Sequence, residues 1–160
     1  MSAWDNFFTA QVGASAALTG LLFVGISINM SKIIGVPALP PRAMKSLALL
    51  VTVLILASLE LVPGESDLGL GLILLVVVVA ATYVICRLSA TVLRLNPAEY
   101  RRVARYEFAL VAVVAALYVG GAGATLAGAW VSNYLVVAGM LVSILIAILD
   151  SWVLLVEVNR

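Results

Sequence analysis

The stretch that decides the fold is LGLGLILLVVVVAATYVICRLSATVL, residues 68–93. No charged residue lies between Leu68 and Cys86. A helix of about 20 mainly apolar residues is long enough to cross the hydrocarbon core of a bilayer. A helix that is apolar on every side has no face to offer to water, so it belongs in lipid or deep inside a protein. The sequence therefore predicts a transmembrane helix here.

Four more stretches of the same character complete a predicted set of five spans, with approximate bounds of 9–30, 43–62, 108–129 and 134–158. The chain of 160 residues is 64% hydrophobic and 11% charged. These proportions leave too few polar residues to cover a soluble domain of this size. We therefore expect an all-α fold, a polytopic bundle of five transmembrane helices that forms one domain over residues 1–160.

The nine Lys and Arg residues all lie on one side of the membrane that these spans imply. Three of them, Lys32, Arg42 and Lys45, lie around the first connection, and a larger group lies between Arg87 and Arg105. Because basic connections face the cytoplasm, we expect the N-terminus outside and the C-terminus in the cytoplasm. No Lys or Arg precedes the first span, so we expect that span to stay in the mature protein rather than act as a cleaved signal peptide.

The first span is the least lipid-like of the five. One of its faces is polar, and a second is made mostly of small residues. The polar face has two interpretations: it lines a path for a solute that several copies of the helix share, or it packs tightly against another helix. The path candidates are Gln11, Ser15, Thr19 and, toward the inner end, Asn29. The expected helix-packing residues are Gly13 and Gly20 in this span and Gly120, Ala124 and Gly128 in the fourth.

Ionisable groups inside a membrane are costly to bury, and they are therefore candidates for function. Asp150 and Arg87 fall at comparable depths in the inner leaflet, and a buried Asp150–Arg87 pair would satisfy both. Alternatively, Arg87 reaches the interface and Asp150 bonds nearby serine hydroxyls, or Asp150 binds a cation or a proton. Glu107 is expected to pair with the arginines beside it. Glu60, Glu65 and Asp67 form an acidic group at the outer mouth, which would concentrate cations or simply be solvated.

Enzyme chemistry finds little support in this chain. The sequence contains one cysteine, Cys86, and no histidine, which excludes an internal disulfide and a histidine-based metal site or triad. The connections between spans are too short to hold a catalytic domain. We therefore expect no enzymatic activity, no cofactor and no metal. Nucleic acid is not an expected partner, because the few basic residues lie near predicted membrane ends, where orientation explains them.

Four segments carry a resemblance to a known family: Trp4–Phe8 (WDNFF), Gly13–Asn29 (GASAALTGLLFVGISIN), Leu61–Gly64 (LVPG) and Trp152–Glu157 (WVLLVE). With these segments the chain resembles a family of small bacterial multi-spanning membrane proteins whose function is uncharacterised. Some members of that family carry the label of modulator of the membrane protease FtsH. The resemblance implies a multi-pass protein of the bacterial cytoplasmic membrane and a regulatory partner, and it supplies no functional residues.

Two classes of function fit these observations. The first is a channel or passive transport path for an ion or small solute, with the first helix near the path, in a protein that is expected to associate with itself. The alternative is an accessory or regulatory membrane subunit that binds another membrane complex. Polar side chains in the first span and the acids at the outer mouth favour the former, and this is the function that we expect from the sequence. Short connections, small-residue faces and the family label favour the latter.

Overall fold

The computed structural model describes residues 3–63, 67–95 and 101–158. Its elements in these ranges are the helices α1 (Ala3–Ile28), α2 (Met30–Gly35), α3 (Leu39–Leu59), α4 (Asp67–Leu95), α5 (Arg101–Leu126) and α6 (Ser132–Val158). All of them except α2 are long and apolar enough to cross a membrane. The prediction of an all-helical chain with five candidate spans is therefore confirmed.

The short helix α2 is an element that hydropathy did not predict. Asn29 separates it from α1, with a backbone φ of −104° and ψ of 13°. The Asn29 carbonyl accepts hydrogen bonds from the N–H groups of Lys32 at 3.1 Å and Ile33 at 3.0 Å. The side-chain amide of Asn29 donates to the carbonyl of Gly25 at 2.9 Å. Asn29 thus ends one helix and starts the next, and Ile33 joins a small apolar cluster with Leu39 of α3.

The helices α3, α4, α5 and α6 form a four-helix bundle, and α1 packs outside it against α3. In the ring of four, each helix contacts the next one along the chain, and α6 closes the ring against α3. Consecutive members run in opposite directions because the connections between them are short. The central helix is α3, which has α1, α4 and α6 as neighbours. Apolar side chains fill the bundle interior, among them Leu49, Val53, Leu74, Val114 and Met140.

The two ends of the molecule differ in charge and in aromatic content. We define the basic end as the one where α1, α4 and α6 finish and where α3 and α5 begin; the acidic end is the opposite one. At the acidic end, Trp4 of α1 contacts Tyr134 of α6 edge to face, with ring centroids 5.0 Å apart. Trp4 also contacts Phe7 and Phe8. This aromatic cluster ties the start of α1 to the bundle.

Close helix packing in the bundle depends on glycines that the spacing argument did not select. A methyl group added to Gly121 of α5 would lie 2.7 Å from a methyl carbon of Val136 on α6. One added to Gly139 of α6 would lie 2.7 Å from the ring of Tyr118 on α5. Tyr118 and Ser143 hydrogen-bond through their hydroxyls at 2.9 Å beside this contact. The α5–α6 interface is therefore tight because two glycines, one from each helix, let the partner helix approach.

Within this chain, three of the five residues predicted for helix packing lie away from the interfaces between helices. Gly13 and Gly20 have nothing within 4 Å of an added Cβ, so within this chain they face open space. Gly128 has a φ of 63° and ends α5, with the N–H of Ala129 donating to the carbonyl of Ala124 at 2.8 Å. This is a helix-capping arrangement that needs glycine's backbone freedom. Only Gly120 and the half-buried Ala124 have positions compatible with packing, and Gly120 makes an ordinary contact with Leu135.

Candidate functional site

Four charged side chains meet inside the bundle near its basic end. We call them the ionic quartet: Arg42 and Lys45 of α3, Glu107 of α5 and Asp150 of α6. Arg42 and Lys45 are three residues apart and therefore share one face of α3. Each of the two bases contacts both acids, so the contacts join three different helices.

All four base–acid pairs of the quartet lie within ion-pair distance. Arg42 Nη2 donates to Glu107 Oε1. Lys45 Nζ lies 2.8 Å from Asp150 Oδ2 and 3.3 Å from Glu107 Oε2. Arg42 Nε lies 3.5 Å from Asp150 Oδ1, which is long for a hydrogen bond but close for an ion pair. The two positive and two negative charges sum to zero, so the cluster as a whole does not carry net charge into the bundle.

The quartet is shielded from the surroundings of the helices. The exposed fraction of the side chain is 1% for Lys45, 4% for Asp150, 8% for Arg42 and 19% for Glu107. Lys45 lies six residues after the start of α3, which is about 9 Å along the axis, and Asp150 lies eight residues before the end of α6, about 12 Å. The site is therefore inside the helical bundle and about two turns from its basic end.

The local sequence explains why these four side chains point inward. On α3, the small polar residues Ser46 and Thr52 share the face of Arg42 and Lys45, and both are buried. On α5, Glu107 lies on the same face as the buried residues Val111, Val114 and Tyr118. On α6, Asp150 lies on the same face as Met140, Ser143, Ala147 and Leu154, which are all buried. Polar side chains in a spanning helix turn toward the bundle because lipid offers them no partner.

The predicted Asp150–Arg87 pair is wrong. Asp150 contacts Lys45 and Arg42 instead, and Arg87 is exposed, with its guanidinium 5.8 Å from the centre of the Tyr83 ring. Depth alone suggested the pair, but α4 and α6 occupy opposite corners of the ring and are not packed together. Serine hydroxyls do not replace Arg87 either, because Ser143 and Ser151 donate to the carbonyls of Gly139 and Ala147.

Sequence reasoning missed Arg42, Lys45 and the cross-helix role of Glu107. The sequence assigns Arg42 and Lys45 to the charges of the first connection, and it predicts that Glu107 pairs with the arginines beside it. The signal that could have found them is helical phase. Arg42, Lys45, Ser46 and Thr52 are the polar residues of α3 before Ser58, and all four fall on one face.

The polar face of α1 lies against α3 rather than on the outer surface. Gln11 and Ser15 are buried, and Ser15 has no exposed surface. The Ser15 hydroxyl donates to the carbonyl of Gln11 at 2.7 Å, and the Thr19 hydroxyl donates to the carbonyl of Ser15 at 2.7 Å. Gln11 Nε2 is buried and has no hydrogen-bond acceptor within the described residues. This placement matches the helix-packing interpretation of the face and does not support a path lined by these side chains on the outside of α1.

The acidic group predicted at the outer mouth is described only in part. Glu65 and the side chain of Asp67 lie outside the described residues. Glu60 directly follows α3, and its burial raises the pKa of the carboxyl from 4.5 to about 7. One of its oxygens, Oε1, is buried without a donor among the described residues. Glu60 is therefore not a freely solvated acid.

An apolar groove lies between α1 and α6 over the central helix α3. It has a volume of about 320 Å³, and Asn29, the last residue before α2, forms part of its wall. Other lining residues are Leu22, Ile26 and Gly25 from α1 and Ala147 and Ser151 from α6. The groove lies beside the helix segment that carries Asp150, but its lining is apolar and the quartet does not open into it.

The part of the chain that the structure describes contains no group of three His, Cys, Asp or Glu side chains that could hold a metal ion.

Comparison with known proteins adds no relative: no family model, curated protein or solved structure matches this chain. The resemblance to the family in which some members carry the label of protease modulator therefore remains a prediction from the quoted segments.

Proposed function

We propose that this protein is a non-enzymatic accessory subunit of the bacterial cytoplasmic membrane, which binds another membrane protein through α1. The observation that carries the proposal is the outward face of α1. Gly13, Ala14, Ala17 and Gly20 are all exposed there, and the two glycines have open space where a side chain would be. Faces of small residues let two helices approach closely in lipid, where dispersion contacts drive association.

The position of α1 supports the same conclusion. Its main contact among the long helices is α3, with the Trp4–Tyr134 contact to α6 at the acidic end, and it is the least buried of the five candidate spans. Gln11 and Ser15 are buried, so the exposed surface between Gly13 and Gly20 consists of small, uncharged residues. Regulation of a membrane protease, which the family resemblance implies, is one activity that a subunit of this kind could have.

Crosslinking from inside the membrane tests this proposal. A photoreactive amino acid at Ala17 should crosslink in cells to a protein other than this chain, and the same group at Val76, which faces outward on α4, should not. The Gly13→Leu variant should abolish the Ala17 crosslink while the purified protein stays as stable as the wild type, because the added side chain meets nothing within this chain. Crosslinks only between two copies would support self-association, and equal crosslinking from Ala17 and Val76 would count against the proposal.

A second candidate function is a transport path for an ion or small solute, and the ionic quartet favours it. Ionisable side chains in the interior of a membrane bundle often mark ion or proton pathways. If this function is correct, purified protein in liposomes is sufficient for flux, and the paired change Lys45→Met with Asp150→Leu, which keeps the remaining charges balanced, changes that flux. The variants Gln11→Leu and Thr19→Val test whether the polar face of α1 contributes. Absence of flux from folded wild-type protein would leave the accessory function.

A further inference from the structure

The apolar groove between α1 and α6 has the shape of a site for a hydrocarbon chain. Both α1 and α6 pack extensively against α3, whereas they meet one another at the acidic end through Trp4 and Tyr134. Small residues widen the space between them: Gly25 on α1 has nothing within 4 Å of an added Cβ, and Ala147 on α6 ends at its methyl group. Leu18, Leu22 and Ile148 are among the aliphatic side chains that line the walls. The two helices therefore leave a gap between them in the folded chain.

The length of the groove favours a lipid chain over a partner helix. The lining residues of α1 run from Leu18 to Asn29, which is about 16 Å of helix at 1.5 Å per residue. The hydrocarbon core of a bilayer is about 30 Å thick, so the groove covers one leaflet only. A transmembrane helix of a partner would need contact over both leaflets and a width of about 10 Å. A volume of about 320 Å³ is too small for a helix but suits a single extended chain.

The polar groups of the groove are concentrated at its basic end. Asn29 and Ser151 line that part, together with Trp152, whose ring is exposed as expected near a membrane interface. Lys32 is exposed on α2, directly before the lining residue Ile33. Arg94, Arg102 and Arg105, near the end of α4 and the start of α5, are also exposed toward this end. A headgroup at the mouth of the groove therefore meets positive charge, and anionic headgroups are attracted to such sites.

We propose that this groove is a binding site for one anionic phospholipid, with an acyl chain along α1 and α6 and the phosphate headgroup beside Asn29 and Lys32. The site lies away from the Gly13–Gly20 face of α1, so the proposal is independent of the proposed accessory function. The lipid fills the gap between α1 and α6, and it thereby couples the peripheral helix to the bundle toward the basic end.

Native mass spectrometry of the purified protein with phosphatidylglycerol or phosphatidylcholine of equal chain length tests the site. We expect one bound phosphatidylglycerol, retained about fivefold better than phosphatidylcholine, which is the preference that one lysine near an anionic headgroup supplies. The Gly25→Phe variant should lose the bound lipid, because its ring fills the groove. Gly123→Phe is the matched control, since Gly123 is exposed on α5 and has open space around it. Lys32→Gln should keep the lipid and lose the preference.

Three results would overturn the site. These are equal retention of the two lipids by the wild type, equal retention by Gly25→Phe and Gly123→Phe, and a dimer in the wild type that Gly25→Phe converts to a monomer, which would assign the groove to a second copy. Ile148→Trp, which blocks the groove from α6, replaces Gly25→Phe if that variant does not fold. Because none of these changes touches Gly13 or Ala17, failure of the lipid site leaves the crosslinking result unaffected.

Discussion

Four charged side chains meet inside an apolar bundle. The cost of burying each charge is offset only because the other three balance it. Taking a carboxylate or an ammonium group out of water costs several kcal/mol, and the attraction between partners has to offset that cost. In this protein each base contacts two acids and each acid contacts two bases. Removal of one member therefore leaves the remaining charges unbalanced in a place where water cannot compensate.

Replacing Asp150 by asparagine should strongly destabilise the fold. The amide keeps the shape of the side chain but leaves Lys45 with only Glu107, which it shares with Arg42. We expect a loss of about 3–5 kcal/mol in the free energy of unfolding, measured by denaturant titration in detergent. Arg94→Gln is the control, because Arg94 is exposed and its change should stay within about 0.5 kcal/mol. A double variant, Lys45→Met with Asp150→Leu, should recover most of the loss, and no recovery would mean that the quartet is not a balanced charge group.

Glu60 should make the stability of the protein depend on pH near neutrality. Its pKa rises from 4.5 to about 7 on folding because burial disfavours the charged carboxylate. Below about pH 4.5 the carboxyl is protonated in both states, so its contribution is fully present. As the pH rises through 7, the folded protein must ionise a buried group, and the stabilisation is lost.

The difference in melting temperature between the wild type and Glu60→Gln checks this prediction. The two proteins should diverge between about pH 5 and pH 8, with the wild type losing stability relative to the variant. Because glutamine does not titrate, the variant also reports the pH dependence of all other groups. If the melting temperatures of the wild type and the variant change with pH in parallel over this range, folding does not raise the pKa of Glu60.

At the scale of the elements, two neighbouring glycines of α5 play different roles. Gly121 faces α6, where an added methyl group would lie 2.7 Å from a side-chain carbon and 3.2 Å from the backbone nitrogen of Val136. Gly120 has its nearest neighbour, Leu135, at an ordinary 3.7 Å. The axes of α5 and α6 can approach this closely only where a side chain is absent. Packing against α6, rather than a requirement of helix formation, therefore explains why residue 121 is glycine.

Gly121→Ala should destabilise the protein by about 1–3 kcal/mol, because overpacking forces α5 and α6 apart and a backbone atom cannot rotate away. Gly120→Ala is the matched control and should be neutral or slightly stabilising, since alanine favours helix over glycine by up to about 1 kcal/mol. Thermal unfolding of both variants in the same detergent provides the comparison. Equal stability of the two would mean that the α5–α6 contact is looser than the structure describes.

At the scale of the whole molecule, two bases that contributed to the predicted orientation lie inside the bundle. Arg42 and Lys45 are neutralised by Glu107 and Asp150, so they add little to the charge that the membrane surface meets. The other seven bases still belong to the basic end, and the connections at the acidic end have none. The expectation of a cytoplasmic basic end therefore stands as a prediction that rests on seven bases.

Cysteine labelling tests this orientation in a Cys86→Ser background, which removes the single native thiol. A cysteine at Val62, which is exposed at the acidic end, should react with an impermeant maleimide in spheroplasts. A cysteine at Ser31, which is exposed at the basic end, should react only after permeabilisation. The opposite labelling pattern would reverse the orientation and place the proposed lipid site in the outer leaflet.

The amino-acid sequence by itself determined that the chain is helical, where its five long apolar helices lie to within seven residues at either end, and which ends of them carry positive charge. These properties follow from local composition, because the length of an apolar stretch and the position of a base do not depend on what lies next to them. Only the tertiary structure decided which charges meet, which face of α1 is covered and where a groove stays open. Those features depend on the rotation of each helix about its axis. When nearly every face of a helix is apolar, hydropathy reveals little of that rotation, and the few inward polar groups find their partners only when the bundle assembles.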